Sequence, residues 1–269
     1  MVRAVSGSGA WNAGLAAAEG RCKRNKVATV AGKARGKAKA KTKEKPRVGF
    51  RRWALRAVLV LSALLVMAIL GYRFINPPTT PYMMRESRRL DGVAQEWVPM
   101  ERIAPVMARA AVAAEDANFC RHWGFDMAAI RGVIARGEVR GASTISQQVV
   151  KNVYLWQGRS WPRKALEAIL TPAVEIAWPK QRILEVYLNV AEFGEGVFGV
   201  EAAAQRSFGI SAEQLSSSQA ARLAAVLPDP KRRDAGRPSD FVTLRARSIA
   251  DGAATIRRDG RAACFGADG

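Results

Sequence analysis

The chain has 269 residues and carries 43 Lys and Arg against 23 Asp and Glu, a formal charge of +20. That length allows one or two domains, and a single His with three Cys leaves too few ligands for a Cys/His metal site. So large a basic excess invites a nucleic-acid reading, but its distribution points elsewhere. Residues 1–52 hold a net +13, which leaves +7 for all the rest, and this basic block stands directly before an apolar run.

The segment AGKARGKAKAKTKEKPR (31–47) is of low complexity, has almost no apolar bulk, and is expected to be disordered. It reads as a solvated tail. The uncharged run AVLVLSALLVMAILGY (57–72) follows. Sixteen residues are short for a bilayer span, yet Trp53 and Phe74 flank them and Arg56 and Arg73 can snorkel to the headgroups. Counted over 53–74, a helix reaches ~33 Å, enough to cross. A cleaved signal peptide fits less well, because the basic leader is too long and no small-x-small cleavage site follows. The positive-inside rule keeps the basic end in the cytoplasm. The expectation is a single-pass protein of the cell inner membrane with its main domain in the periplasm.

NPPTTPYMMRES (76–87) has three prolines and reads as part of a stalk or linker over 75–96. From 97 the pattern is helical. APVMARAAVAAED (104–116) opens with Pro105 near a first turn and is rich in alanine, and FDMAAIRGVIARG (125–137) is a helix ended by its last glycine. Ser160 is the expected N-cap of a helix that Pro172 kinks and Trp178-Pro179 ends. KQRILEVYLNV (180–190) puts Ile183, Leu184, Tyr187 and Leu188 on one face. Gly194, Gly196 and Gly199 break the chain into a loop, and Ser211 with Gln214 forms a capping-box pattern. SSQAARLAAVL is a helix stopped by Pro228, and Ser239 or Asp240 caps a last weak one. Long alternating strand patterns are absent, so the fold class is mainly α: a helical domain over 97–258 with a short tail, 259–269. Cys120 and Cys264 fall in an oxidising compartment and could pair; no structural bridge between them is expected.

GASTISQQVVKN (141–152) crowds hydroxyls and amides ahead of Lys151. Such a stretch could hold a phosphate, present a serine nucleophile, or face water. A serine acyl enzyme would need Ser-x-x-Lys, but the residues three past Ser143 and Ser146 are Ser146 and Val149, and no Gly-x-Ser-x-Gly elbow exists. Glu115, Asp116, His122 and Glu167 are each unremarkable alone: a solvated helix end, a packed imidazole, a surface carboxylate. Their combination is what counts. Glycosyl transfer and glycoside cleavage commonly use two acidic groups about an anomeric carbon. A pyrophosphate leaving group needs fixed cations, and Lys151, Arg159, Arg163 and Lys164 lie within fourteen residues.

EDANFCRHWGFD, GASTISQQVVKN, RKALE, KQRILEVYLNVAEFGEGVFGVEAAAQRSFG and AARLAAVLPDP occur in the order of the peptidoglycan glycosyltransferase family, which the chain resembles over about 100–235. The resemblance implies a lysozyme-like helical glycosyltransferase domain with a small jaw lobe near the membrane, and polymerisation of lipid II into glycan strands. It implies Glu115 as general base and Glu167 as second carboxylate. Ser143, Thr144, Gln148, Lys151 and Arg159 are implied around the donor phosphosugar, with Asn152, Arg163 and Lys164 completing the substrate-binding set. Asp116, Phe119 and His122 are implied as supports of the first motif and as members of the same substrate-binding set. It also implies a divalent cation, Mg²⁺ or Mn²⁺, held mainly by substrate pyrophosphate, and partners in division or elongation, with no specific nucleic acid. Tyr82, Met83 and Met84 are expected to touch the bilayer. Two departures stand out: the link between the first two motifs is a few residues short, and Gln219 replaces the family's usual Glu, at a position expected to be structural. Rival readings are a lytic transglycosylase or lysozyme, which would not need the cation cluster, and a membrane-anchored basic binding protein, which leaves the ordered motifs unexplained.

Overall fold

A computed structural model describes residues 48–135, 137 and 143–266. The basic N-terminal tail with Cys22, the link between the first two motifs with Gly141 and Ala142, and the last three residues lie outside the described residues, so the expectations made for them have no counterpart here. The first described element, α1 (Val48–Tyr72), is long and apolar enough to cross a membrane. Its 25 residues reach ~37 Å. Most of its large side chains face outward, and only the last turns touch protein, with Ile69 buried and Leu65 and Tyr72 packed against the core. The helix end is held there: Trp178 Nε1 donates to Ile69 O at 2.7 Å, and the Arg182 guanidinium donates to Tyr72 O and Ile75 O.

The prolines of the expected stalk start a helix instead of a coil. Thr80 Oγ1 accepts Met83 N–H, Pro81 supplies the first-turn φ, and α2 (Pro81–Leu90) runs to Asp91, whose left-handed φ of 56° closes it. Met83 is buried and the Tyr82 hydroxyl hydrogen-bonds the Glu192 carboxylate, so of the three residues expected at the bilayer only Met84 is free to face it. Next come β1 (Ala94–Gln95) and α3 (Pro105–Glu115). The alanines of α3 let neighbouring backbones come close. Ala108, Ala110 and Ala111 are buried, and a Cβ on Gly252 would already press on Ala113 Cβ at 3.2 Å.

The chain then lays down α4 (Met127–Ala135), α5 (Ile145–Tyr154), α6 (Trp161–Ala177) and α7 (Lys180–Val190). Ser160 takes the N-cap position of α6 without a side-chain cap bond, and the helix continues through Pro172 to Ala177. α7 is the centre of the fold. Its periodicity suggests one apolar face, but Val186, Asn189 and Val190 are buried as well as the four expected residues, because other elements surround it. The buried Asn189 is fully bonded, giving two donors to Val98 O and Glu185 O and accepting Val98 N–H. A small three-stranded sheet follows, with β2 (Glu192–Gly194) antiparallel to β3 (Val197–Phe198) and β1 parallel to β3, in the order β1-β3-β2. The rest is α8 (Val200–Phe208), α9 (Ser217–Val226) and α10 (Asp240–Arg258), with α3, α9 and α10 each packed against the other two. Gln219 carries the capping box that starts α9, bonding Ser216 N–H and hydroxyl, so the amide does the capping work expected of a Glu there.

Two expectations fail at the C-terminus. The segment past Arg258 does not trail away: a 3₁₀ turn at Ala263–Phe265 buries Phe265 completely, with its ring 6.2 Å from that of Phe119. Cys264 is thereby brought against Cys120, and the two form a disulfide across 144 residues, with Cα atoms 5.7 Å apart. The absence of a bridge was the wrong expectation, because pairing depends on a packed tail that has no periodic pattern to announce it.

Candidate active site

Glu115 is the last residue of α3 and Asp116 its C-cap, so the alanine-rich helix delivers both carboxylates to one edge. Asp116 is committed to structure. Its Oδ2 accepts Ile145 N–H at 3.0 Å and its Oδ1 lies 2.8 Å from His122 Nε2. His122 Nδ1 accepts Gly124 N–H, which assigns the ring proton to Nε2 and makes it the donor to Asp116. Phe119 has no access to the cleft; it is fully buried, with Lys180 Nζ 4.3 Å from its ring centre. The loop can close this tightly only with a glycine at 124. Its φ is +88°, and a Cβ there would meet Thr171 Cγ2 at 2.5 Å.

The described part of GASTISQQVVKN divides its labour by helical position. Thr144 and Gln147 form the capping box of α5, and Thr144 Oγ1 also donates to Gly124 O at 2.7 Å. Ser146 turns inward to the Glu175 carboxylate, which also pairs with Lys180. Ser143 is exposed beside Glu115. Gln148, Lys151 and Asn152 share the outer face of α5 at i, i+3 and i+4. Gln148 Nε2 donates to Glu115 Oε2 at 2.8 Å, and Asn152 Oδ1 accepts from Gln157.

Glu115 thus stands between two cavities. One, of about 270 Å³, is lined by Glu115, Asp116, Asn118, Ser143 and Thr144. The other, of about 260 Å³, is lined by Gln148, Lys151, Asn152, Tyr187, Glu192 and Lys231. A larger hollow of about 680 Å³ between α3 and α10, bordered by Val106, Arg109 and Arg258, holds none of the motif residues and offers no comparable chemistry. Burial pushes the Glu115 carboxyl above its ordinary range; the Gln148 bond, Arg245 and Lys151 oppose that rise, and Asp116 adds to it. Burial likewise pulls the Lys151 ammonium below its usual value, against the attraction of Glu167 and Glu115. A carboxylate raised toward neutrality is a stronger base than an exposed one.

Glu167 has a different setting. It is buried on α6, with Arg163 Nη1 on Oε2 at 2.6 Å and Lys164 Nζ on Oε1. Both oxygens are taken by cations, so its work is to hold two positive charges in place. Arg163 is further tied by Nε to Gly158 O. Arg159 sits exposed on the loop ahead of α6. Lys151, Arg163 and Lys164 against Glu115 and Glu167 leave this edge one positive charge in surplus. The sequence signals missed two site neighbours: Tyr187, buried within the field of Glu115 and Asp116, and Arg245, which reaches Glu115's field from α10. They also missed Lys231, which ties Glu86 at 2.8 Å and approaches Glu192. Arg245 and Lys231 lie outside the quoted motifs and arrive by tertiary folding, whereas Tyr187 lies within KQRILEVYLNV, where its place on the apolar face marked it only as core.

A buried carboxylate beside a cluster of cations on a helical scaffold suits glycosyl transfer or glycoside cleavage. Comparison with known sequences narrows this. The family described as "Transglycosylase" matches residues 83–254. The chain is 64% identical over 215 residues to the biosynthetic peptidoglycan transglycosylase of Jannaschia sp. (strain CCS1), covering 80% of this chain and 90% of that one. It is 47% identical over 218 residues to the protein of that name from Caulobacter vibrioides, covering 80% and 95%. It is 49% identical over 199 residues to that from Ectopseudomonas mendocina, covering 70% and 81%. The chain belongs to the transglycosylase family, and its mainly helical domain is the lysozyme-like one of that family.

Proposed function

We propose that this peptidoglycan glycosyltransferase polymerises lipid II by a single inverting displacement, with Glu115 as general base. Glu115 takes the proton of the acceptor GlcNAc 4-hydroxyl. The freed oxygen attacks C1 of the donor MurNAc, and undecaprenyl pyrophosphate leaves. The observation that carries this reading is the Glu115–Gln148 pair between two cavities, with Lys151 on the Gln148 side and the Arg163–Lys164 pair anchored by Glu167 close enough to act on Lys151. Two sugar substrates need two sites around one base, and a departing pyrophosphate needs fixed cations. A lytic enzyme releases a neutral hydroxyl and has no use for them.

Among the described residues, no three His, Cys, Asp or Glu side chains converge as a metal cage. Asp116 and Glu167 spend their oxygens on protein partners, so this donor set does not suit a resident ion; it suits one carried in on substrate phosphates. Such an ion would add charge neutralisation at the pyrophosphate, and no step above depends on it.

The placement proposed is the inner membrane, spanned once by α1, with the N-terminus cytoplasmic and the cleft in the periplasm. α6 supports a bilayer-facing position: Trp161, Ile169 and Ile176 are 89%, 68% and 76% exposed, and its end is joined to the span by Arg73 Nη1 donating to Ala177 O. Full-length protein in detergent, incubated with labelled lipid II and Mg²⁺, tests the chemistry. The expected product is a ladder that lysozyme digests, lost in Glu115→Gln by ~10²–10⁴-fold in rate. Near-wild-type turnover by that variant refutes the base; cleavage of preformed peptidoglycan without polymer refutes the reaction.

A further inference from the structure

A polar cavity of about 470 Å³ lies beside the cleft, bounded by β2, the end of α8 and the loop after α9. Five cations line it, Arg206, Lys231, Arg232, Arg233 and Arg237, against Glu195 and Asp234. Both acids are engaged. Glu195 pairs with Arg89 at 2.8 Å, and Asp234 Oδ1 accepts Gly236 and Arg237 N–H, which holds its carboxyl below the usual range. The loop is built in place. Arg233 Nη1 donates to Ala225 O and Arg222 Nη1 to Ala235 O, and a Cβ on Gly236 would come within 2.9 Å of Ser207 O. Arg206 and Arg232 are exposed at the rim and make no ion pair among the described residues. A concave wall with unpaired guanidinium groups suits carboxylates, which they bind in bidentate fashion.

The cavity shares Pro230 and Lys231 with the cavity that Gln148 and Lys151 line. Whatever occupies the cleft therefore has this basic wall as its neighbour. The pyrophosphate has its own cations at Lys151, Arg163 and Lys164, and sugar hydroxyls carry no charge. What remains anionic on a peptidoglycan sugar is the short peptide attached to it. We infer that this cavity is a subsite for that carboxylate-bearing peptide, an inference that rests on the reading of the cleft given above.

The test uses full-length protein in neutral detergent and two substrates, native lipid II and one with its peptide carboxylates converted to amides. Arg206→Gln/Arg232→Gln removes the two rim charges. On native substrate the double variant should raise KM about 5-fold with kcat unchanged, the sum of two exposed charge contacts. On amidated substrate, wild type and variant should share that higher KM. An unchanged KM on native substrate, or an equal rise on both, overturns the inference. So does a defect that emerges only when anionic phosphatidylglycerol is added to the micelles, which would make the wall a headgroup site. Absence of polymer from wild type brings down the cleft reading and this one with it, whereas polymer with unaltered KM brings down this one alone.

Discussion

Removing the Cys120–Cys264 bridge tests the C-terminal architecture most directly. The perturbation is Cys120→Ala/Cys264→Ala in the full-length chain. The bridge closes a loop of 144 residues, and loop-closure entropy for that length gives about 5 kcal/mol of stabilisation, the upper end of the usual range. For a domain of this size each kcal/mol moves the midpoint by roughly 2–4 °C, so the variant should melt about 10–20 °C lower. The loss should be felt at the site too. The bridge pins Cys120, two residues from His122, and seats Phe265 against Phe119, so the loop that holds Asp116 loses its brace. The assay is thermal unfolding in detergent, wild type with and without reductant beside the double variant, with thiol titration of denatured wild type. A midpoint shift under about 2 °C, or two free thiols at positions 120 and 264 in unreduced wild type, refutes the reasoning.

Three further outcomes follow from the site. Glu115 has a folded pKa above its unfolded one, so folding favours its protonated form and its ionisation costs stability as pH rises through the folded value. Glu115→Gln should therefore gain in melting temperature over wild type at pH 8 but not at pH 4; an equal or lower midpoint at pH 8 counts against burial as the cause. Arg245 holds the Glu115 pKa down, so Arg245→Gln should move the acidic limb of the kcat/KM profile to higher pH, and an unmoved limb removes Arg245 from the base's field. Gly124→Ala sets a Cβ 2.5 Å from Thr171 Cγ2 at a φ of +88° and should cost about 1–3 kcal/mol with loss of polymerisation, read by melting and by product gel; a stable, active variant would mean the loop can shift.

Much of this protein was legible in its sequence because the signals are local. The apolar run of α1, the alanine repeat of α3, the Ser211–Gln214 box and the stop at Pro228 act through neighbours three or four residues away, and the elements form where expected. The resemblance named Glu115, Gln148, Lys151 and Glu167, and of these only Gln148 and Lys151 share a helix, where a spacing of three puts them on one face. Tertiary structure decided everything that depends on distant segments meeting. It turned the proline-rich stalk into α2 by burying Met83, took Phe119 out of the cleft, gave Glu167 to two cations, and brought Arg245 and Lys231 to the site from the C-terminal third. It also closed the bridge from Cys120 to Cys264, which no local pattern announces. Periodicity reports how a residue faces its own helix, but only the packed chain determines what stands opposite.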